Sequence, residues 1–388
     1  MYPVAMIDRA LHRRTVLRLL KDYPVVALLG ARQVGKTTLA RDILERQRGH
    51  RFDLEDTADL ARLRDPRLAL SDLMGLVVID EVQRRPEIFQ ALRVLADRRP
   101  LQTRFLVLGS ASPDLLRQSS ESLAGRIAFH TLDGFDLGEV GPRGLDRLWL
   151  RGGFPSSFLA RSDDASFAWR RNFVQTFVER DLPQLGVRIP VPTLSRFWAM
   201  LAHYHAQIWN GSEFARSFGV SDKTVRHYLD MLASAFVVQV LPPWHANLGK
   251  RQVKSPKVYI RDSGLLHTLL DIRDRRDLER HPKVGASWEG YALHQITRRL
   301  GALPQECHFW SVHSGAEIDL LWVRGRKRWG FEFKRTSSPA LSRSLMSAVE
   351  TLDLQRAFVV HAGEATFPLH KKVTALAVGR LLEDLPGS

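Results

Sequence analysis

The sequence predicts an α/β protein: a parallel-sheet domain over residues 1–150, a helical and winged-helix segment over 151–270, and a second α/β domain over 271–388. Three patterns carry that division. Short continuous apolar runs at 25–29, 76–79 and 105–108 alternate with stretches of helical spacing, as strands buried on both faces of a parallel sheet do. Between about residues 165 and 232 apolar and aromatic residues recur at helical spacing instead. Near the C-terminus, residues 318–323 and 328–334 alternate about Gly325-Arg326, a two-residue hairpin loop. The 388 residues fit two or three domains at roughly 150 residues each. With 44% hydrophobic and 26% charged residues, disorder and fibrous folds are excluded. No apolar run reaches the roughly 18–20 residues that span a bilayer, and MYPVAMIDRALHRR lacks a secretory-type apolar core. One cysteine, Cys307, permits no internal disulfide and no cysteine-built zinc site, so a cytoplasmic protein without membrane partners is expected.

The first apolar run, Val25-Val-Ala-Leu-Leu29, is followed at once by Gly30-Ala31-Arg32-Gln33-Val34-Gly35-Lys36-Thr37, then Thr38 and a helical pattern. This is G-x-x-x-x-G-K-[ST] in the strand–loop–helix setting it requires. Glycines at both ends let successive N–H groups turn inward around a phosphate, and the helix N-terminus adds its positive dipole end. Lys36 is assigned to the β- and γ-phosphates and Thr37 to Mg²⁺. The second run, Leu76–Ile79, ends in Asp80-Glu81; Asp80 is expected to hold Mg²⁺, through water, and Glu81 to polarise the attacking water. After the third run, Ser110 reads either as a γ-phosphate or water contact or, with Ser112, as a turn and cap for a helix from Pro113. Arg126 reads either as an arginine finger, in cis or in trans, or as a solvated side chain.

In the middle, 165–181 and 193–207 read as helices whose Phe167, Phe173, Val174 and Phe177 form core. Ser212 is expected to cap a helix through Phe218, Gly219 to turn the chain, and Ser221 to cap a second helix. With apolar 235–241, basic Lys250, Arg251 and Lys254, and strand 257–260, this reads as a helix-turn-helix with a wing. Lys223, Arg226 and His227 then face nucleic acid, or the unit is a spacer or protein contact. In the C-terminal hairpin, pairing Arg324 with Lys327 sets Asp319 opposite Glu332, with Lys334 on their face and Phe331 and Phe333 packing with Ile318 and Leu320. Opposed carboxylates repel unless a cation lies between them. Asp319 and Glu332 with Mg²⁺, Lys334 steering water and Glu289 as a further ligand describe a phosphodiesterase centre. The alternative is a surface hairpin whose acids pair with Arg324, Arg326, Lys327 and Arg328. Fifty-seven Lys and Arg against 42 Asp and Glu leave +15, which attracts polyanions, DNA ahead of RNA, unless it reflects an arginine-rich genome.

Taken together, these pieces resemble prokaryotic ATP-binding proteins with an AAA-type P-loop module followed by a region of unknown function, a winged helix and a restriction-endonuclease-like domain. The matching residues are Gly30–Thr38, Asp80-Glu81-Val82-Gln83 with Pro86, Gly109-Ser110, Leu123–Arg126, Gly152-Gly153-Phe154-Pro155 and Arg261-Asp262-Ser263-Gly264-Leu265. Glu289, Asp319, Glu332 and Lys334 fill the places of the PD-(D/E)XK pattern, although Glu317-Ile318 stand where a Pro-Asp pair is usual. The resemblance implies ATP and Mg²⁺ at the first site and an ATPase coupled to a nucleic-acid-handling C-terminal region. The other readings are an ATP-gated DNase and a regulatory or scaffold ATPase acting on a protein partner. A small-molecule kinase is disfavoured because Glu81 beside Asp80 suits water as acceptor. Relatives of AAA type often form rings, which makes a homo-oligomer an expectation.

Overall fold

The computed structural model describes residues 7–110, 123–184, 188–245, 253–312 and 315–387; Ser112, Pro113, Lys250 and Arg251 lie outside them. The chain divides into two compact units, Met1–Gly134 with Ser234–Phe236, and Phe135–Ala233 with Val237–Ser388.

The first unit is built on five parallel strands: β1 (Val25–Leu29), β2 (Gly49–Asp53), β3 (Gly75–Asp80), β4 (Thr103–Gly109) and β5 (Ile127–Thr131). Their order across the sheet is β2-β3-β4-β1-β5. All five residues of β1 are buried, as are Leu76–Asp80 of β3, because helices cover both faces. Each such Val, Leu or Ile contributes about 1.5–3 kcal/mol by leaving water. On one face β1, β3 and β4 pack with Phe89, Leu92 and Leu95 of the helix Ile88–Ala96 in one apolar cluster. Parallel strands align their C-terminal tips, so Leu29 pairs with Gly109 and Asp53 with Asp80 along one edge. That edge is where the chemistry collects.

In the second unit the helix Asp163–Thr176 begins at Ser162, whose hydroxyl accepts the Ala165 N–H at 3.1 Å. It buries Phe167 and Phe173 and widens into a π-turn over Phe177–Asp181, where Phe177 stacks on Phe173. The next helix, Val191–His203, buries Phe197 and Trp198. Asn210, not Ser212, caps the following helix Gly211–Phe218, accepting the Glu213 N–H at 3.3 Å; the Ser212 hydroxyl donates to Asp222 instead, at 2.9 Å. Ser221 accepts the Thr224 N–H at 3.2 Å at the start of Asp222–Ser234. Phe236 takes left-handed backbone, φ 61°, which no strand accommodates, so the strand expected from residue 235 begins at Val238.

Strands β6 (Gln207–Ile208), β7 (Val238–Leu241) and β8 (Lys257–Ile260) form an antiparallel sheet in the order β6-β8-β7. A second, mixed sheet holds β9 (Cys307–Ser311), β10 (Glu317–Arg324), β11 (Lys327–Lys334), β12 (Arg356–His361), β13 (Phe367–His370) and β14 (Val373–Ala377), ordered β13-β14-β12-β11-β10-β9. The Phe309 N–H donates to Pro242 O at 3.0 Å and the Trp244 N–H to Phe309 O at 2.7 Å, tying the chain after β7 to β9. The β10–β11 hairpin has the register expected from its loop, Arg324 opposite Lys327 and Leu320 opposite Phe331. One departure follows from the far edge of β10. Its register with β9 shifts between Ile318 and Leu321, and both side chains enter one apolar cluster, which strict alternation forbids. Ile318 therefore leaves the face of Leu320, Phe331 and Phe333 on which alternation put it.

Candidate functional sites

The loop after β1 is shaped by two glycines. A Cβ on Gly30 would lie 2.0 Å from the Leu132 carbonyl oxygen, so only hydrogen fits. Gly35 adopts φ 99°, a left-handed conformation, and hands the chain to the helix Lys36–Glu45. Ala31 and Val34 are buried, Arg32 pairs with Glu55 at 2.9 Å, Gln33 is left-handed (φ 66°) and Thr38 is exposed. Arg9, from the start of the chain, donates to Val34 O at 3.0 Å and Asp133 O at 2.9 Å, bracing the loop.

Lys36 is buried, and its ammonium donates to Gly30 O at 3.0 Å and Ala31 O at 2.9 Å. Burial draws its pKa down to about 8, against the pull of Glu81 and Asp80. The Thr37 hydroxyl donates to Asp80 Oδ2 at 2.8 Å, so the helix start and the tip of β3 meet. Arg51, which sequence reading passed over, sits beside them, 2.7 Å from Asp53 and 3.4 Å from Asp80. Glu81 is left-handed, φ 55°, and hydrogen-bonded by the Gln83 amide; burial raises its carboxyl pKa. A non-glycine residue held there stores strain of order 1–3 kcal/mol. Ser110 follows the tip of β4, level with Gly30.

Arg126 lies elsewhere. It precedes β5, its carbonyl accepts the Val25 N–H at 3.2 Å, and its guanidinium forks onto Asp97 at 2.6 and 2.9 Å. This is the N-terminal edge of the sheet, a strand length of roughly 16 Å from the loop. Arg126 therefore stands at the edge of the sheet opposite the loop.

The C-terminal acids separate into two groups in the second unit. Glu289, Glu317 and Asp319 surround the ammonium of Lys257, the first residue of β8, at 3.4 Å for Glu289, in direct contact for Glu317 and at 3.1 Å for Asp319. Asp319 Oδ2 accepts the Phe333 N–H at 3.1 Å, and Glu289 Oε1 accepts the Tyr259 hydroxyl at 2.8 Å. Glu332 instead pairs with Lys334 at 3.0 Å and accepts the Ser342 hydroxyl at 3.0 Å. The alternative pairing of these acids with the loop arginines is not what is found: Arg324 binds Glu306 at 2.7 Å. Burial would discharge Lys257, but Asp319, Glu289 and Glu317 outweigh it and hold the ammonium charged above its ordinary range. Burial, with Asp319 next to it, raises the Glu289 carboxyl to about 7. Sequence reading gave Lys257 and Tyr259 only a place in a strand and noted Glu317 only as a departure from the Pro-Asp pattern; nothing in the sequence pointed to their meeting.

Residues 22–141 match the family model of an AAA domain. Residues 142–276 match a domain of unknown function (DUF8612), and residues 284–381 a second (DUF4143). Two mycobacterial proteins are 52% identical over 378 residues, which cover 97% of this chain and 83% of theirs. They are Uncharacterized protein Rv2008c of Mycobacterium tuberculosis (strain ATCC 25618 / H37Rv) and Uncharacterized protein Mb2031c of Mycobacterium bovis (strain ATCC BAA-935 / AF2122/97). The chain belongs to their family. This member carries an AAA-type P-loop domain ahead of two domains of unknown function, and the P-loop, Asp80-Glu81 and Ser110 all fall inside the AAA match. Among solved structures, the Walker-type ATPase paby2304 of Pyrococcus abyssi has a TM-score of 0.49 at 17% identity over 68% of this chain and 96% of its own. The STAND-class signal transduction ATPase PH0952 of Pyrococcus horikoshii, with a tetratricopeptide repeat sensor, has 0.32 at 12% over 76% and 45%. No helix among the described residues is long and apolar enough to cross a membrane.

Proposed function

We propose that the protein is a Mg²⁺-dependent ATPase, converting ATP to ADP and phosphate, whose nucleotide state acts on its C-terminal region. The observation that carries this reading is the 2.8 Å contact between the Thr37 hydroxyl and Asp80 beside the buried Lys36 ammonium. Two oxygens and a cation at a helix N-terminus suit a magnesium–triphosphate pair. Thr37 and Asp80 would hold the ion, which when bound offsets charge on the β- and γ-phosphate oxygens. The amides of Gly30–Thr38 would cradle the phosphates, with Lys36 turning from its own loop carbonyls to the β- and γ-oxygens. Glu81 would accept a proton from the attacking water, a role its raised carboxyl pKa favours. Oxygen of that water then bonds to the γ-phosphorus as the bond to ADP breaks. Ser110, just after β4, would touch the γ-phosphate or the water. Arg126, at the other edge, would serve only a second copy of the chain.

Lys36→Ala is expected to weaken ATP binding at least tenfold, read by calorimetry. Glu81→Gln keeps binding and lowers turnover about 10²-fold or more. Unchanged hydrolysis in both variants overturns the proposal.

A nucleic-acid role for the second unit is the further reading, with DNA as the first ligand to try. It is supported by a helix pair set between β6 and the strands β7 and β8 of one sheet, read as a winged helix, and by exposed Lys223, Arg226 and His227 on the second helix. Among the described residues Arg226 is paired with Asp230 at 2.9 Å, an exposed pair that opens at little cost. DNA should then stimulate ATP turnover, with stimulation falling steeply as salt rises. Salt-independent turnover that DNA leaves unchanged points instead to a switch acting on a protein partner.

A further inference from the structure

The PD-(D/E)XK reading needs acids of helix Val284–Arg299, β10 and β11 to converge on a divalent ion, with the β11 lysine alongside. The residues present do not fit that ion. Asp319 spends one oxygen on Lys257 and the other on the Phe333 N–H, while Glu289 Oε1 accepts from both Tyr259 and Lys257. Glu332 and Lys334 pair with each other, and half of the Lys334 side chain is exposed. The cation among the acids comes from the polypeptide, and 95% of its side chain is buried.

We infer that Lys257 is a built-in cation that takes the place of the metal in the Glu289–Glu317–Asp319 cluster, so that this centre is closed to Mg²⁺ and does not cleave phosphodiesters. Sharing is disfavoured. Magnesium requires oxygens at about 2.0–2.1 Å in octahedral array, so an ion bound to Asp319 Oδ1, itself 3.1 Å from the ammonium, would lie no more than about 5 Å from that charge. Two adjacent cations in a buried site repel strongly, and the ammonium cannot withdraw while β8 is paired. Lys257 lies opposite Leu241 on one side and Ile208 on the other. Its stem rises over the Phe309 ring of β9, with Nζ 5.7 Å from the centroid. The cluster thus becomes an ionic joint linking β8 to β10 and the helix, and a buried charge without its partners is costly, which fixes the pairing.

The test is Mn²⁺ binding to the full chain without nucleotide, followed by electron paramagnetic resonance and thermal unfolding. Wild type and Asp319→Asn should bind Mn²⁺ alike. Lys257→Met should be less stable without metal, bind at least tenfold tighter than wild type, and regain several degrees of unfolding temperature with Mn²⁺. The double variant Lys257→Met/Asp319→Asn should lose that gain. Asp319-dependent Mn²⁺ binding in wild type overturns the inference, as does Asp319-dependent cutting of plasmid DNA with Mg²⁺ or Mn²⁺. Both of these arms hold even where Lys257→Met fails to fold. A folded Lys257→Met that gains no affinity overturns it as well.

Discussion

Lys36 shows how one buried cation ties binding to pH. Burial lowers its ammonium pKa to about 8, so near pH 7 it is about nine-tenths charged and near pH 9 about one-tenth. A triphosphate favours the charged form and raises that pKa on binding. The sign follows: ATP affinity should fall as pH rises from about 7 to 9, and binding near pH 8.5 should take up a proton. Calorimetry in buffers of different ionisation enthalpy reads the uptake directly. Lys36→Arg, charged throughout, should abolish it even where affinity is lower. Uptake that persists in Lys36→Arg would assign the proton to another group. The place of this residue at the end of a glycine loop was readable from sequence because the loop is local: Lys36 reaches carbonyls five and six positions back. Lys257 was not readable, since its acids lie 32 and more positions downstream and meet it only because the chain beyond β7 pairs with β9.

At the scale of elements, the helix Val284–Arg299 carries two glycines with opposite expectations. Alanine is normally favoured over glycine in a helix by up to about 1 kcal/mol. At Gly285 an added Cβ meets nothing within 4 Å, so Gly285→Ala should stabilise by a few tenths to about 1 kcal/mol. At Gly290 the same atom would lie 2.3 Å from Nε2 of buried His205, whose Nδ1 accepts the Ile260 N–H at 2.9 Å. Overpacking there outweighs propensity, and Gly290→Ala should destabilise by roughly 1–3 kcal/mol. Urea unfolding of both variants checks the pair; equal shifts would mean His205 moves aside freely. Sequence periodicity cannot separate the two glycines, because the difference lies in a side chain 85 positions earlier. The hairpin is the mirror case. Its loop fixed the β10–β11 register correctly, whereas the Ile318 bulge arises from pairing with β9, which no local pattern records.

At the scale of the molecule, imidazoles drawn out of water make acid the weak side of the second unit. Burial pushes His205, His267 and His294 down to about 3. The bonding of His267 suits a neutral ring. Leu150 O can only accept, so Nδ1 donates to it at 2.9 Å, and Ser287, which accepts the Trp149 indole N–H at 3.0 Å, has its own proton to give to Nε2 at 2.7 Å. A histidine whose folded pKa lies below its unfolded value of about 6.5 contributes stability that is present above that value and lost as pH falls toward 3. Near pH 5 the loss is about 2 kcal/mol for each ring. Glu289 and Asp262, both raised by burial, run the other way, since protonation eases their folded forms. The three imidazoles outnumber these carboxyls. All nine tryptophans of the chain lie beyond residue 134, so tryptophan emission reports on the second unit alone. Its urea midpoint should therefore drop between about pH 7 and 5, and His267→Gln should flatten that drop while costing stability at neutral pH. A midpoint that holds steady over this range would mean the rings titrate freely and are not held neutral by the fold.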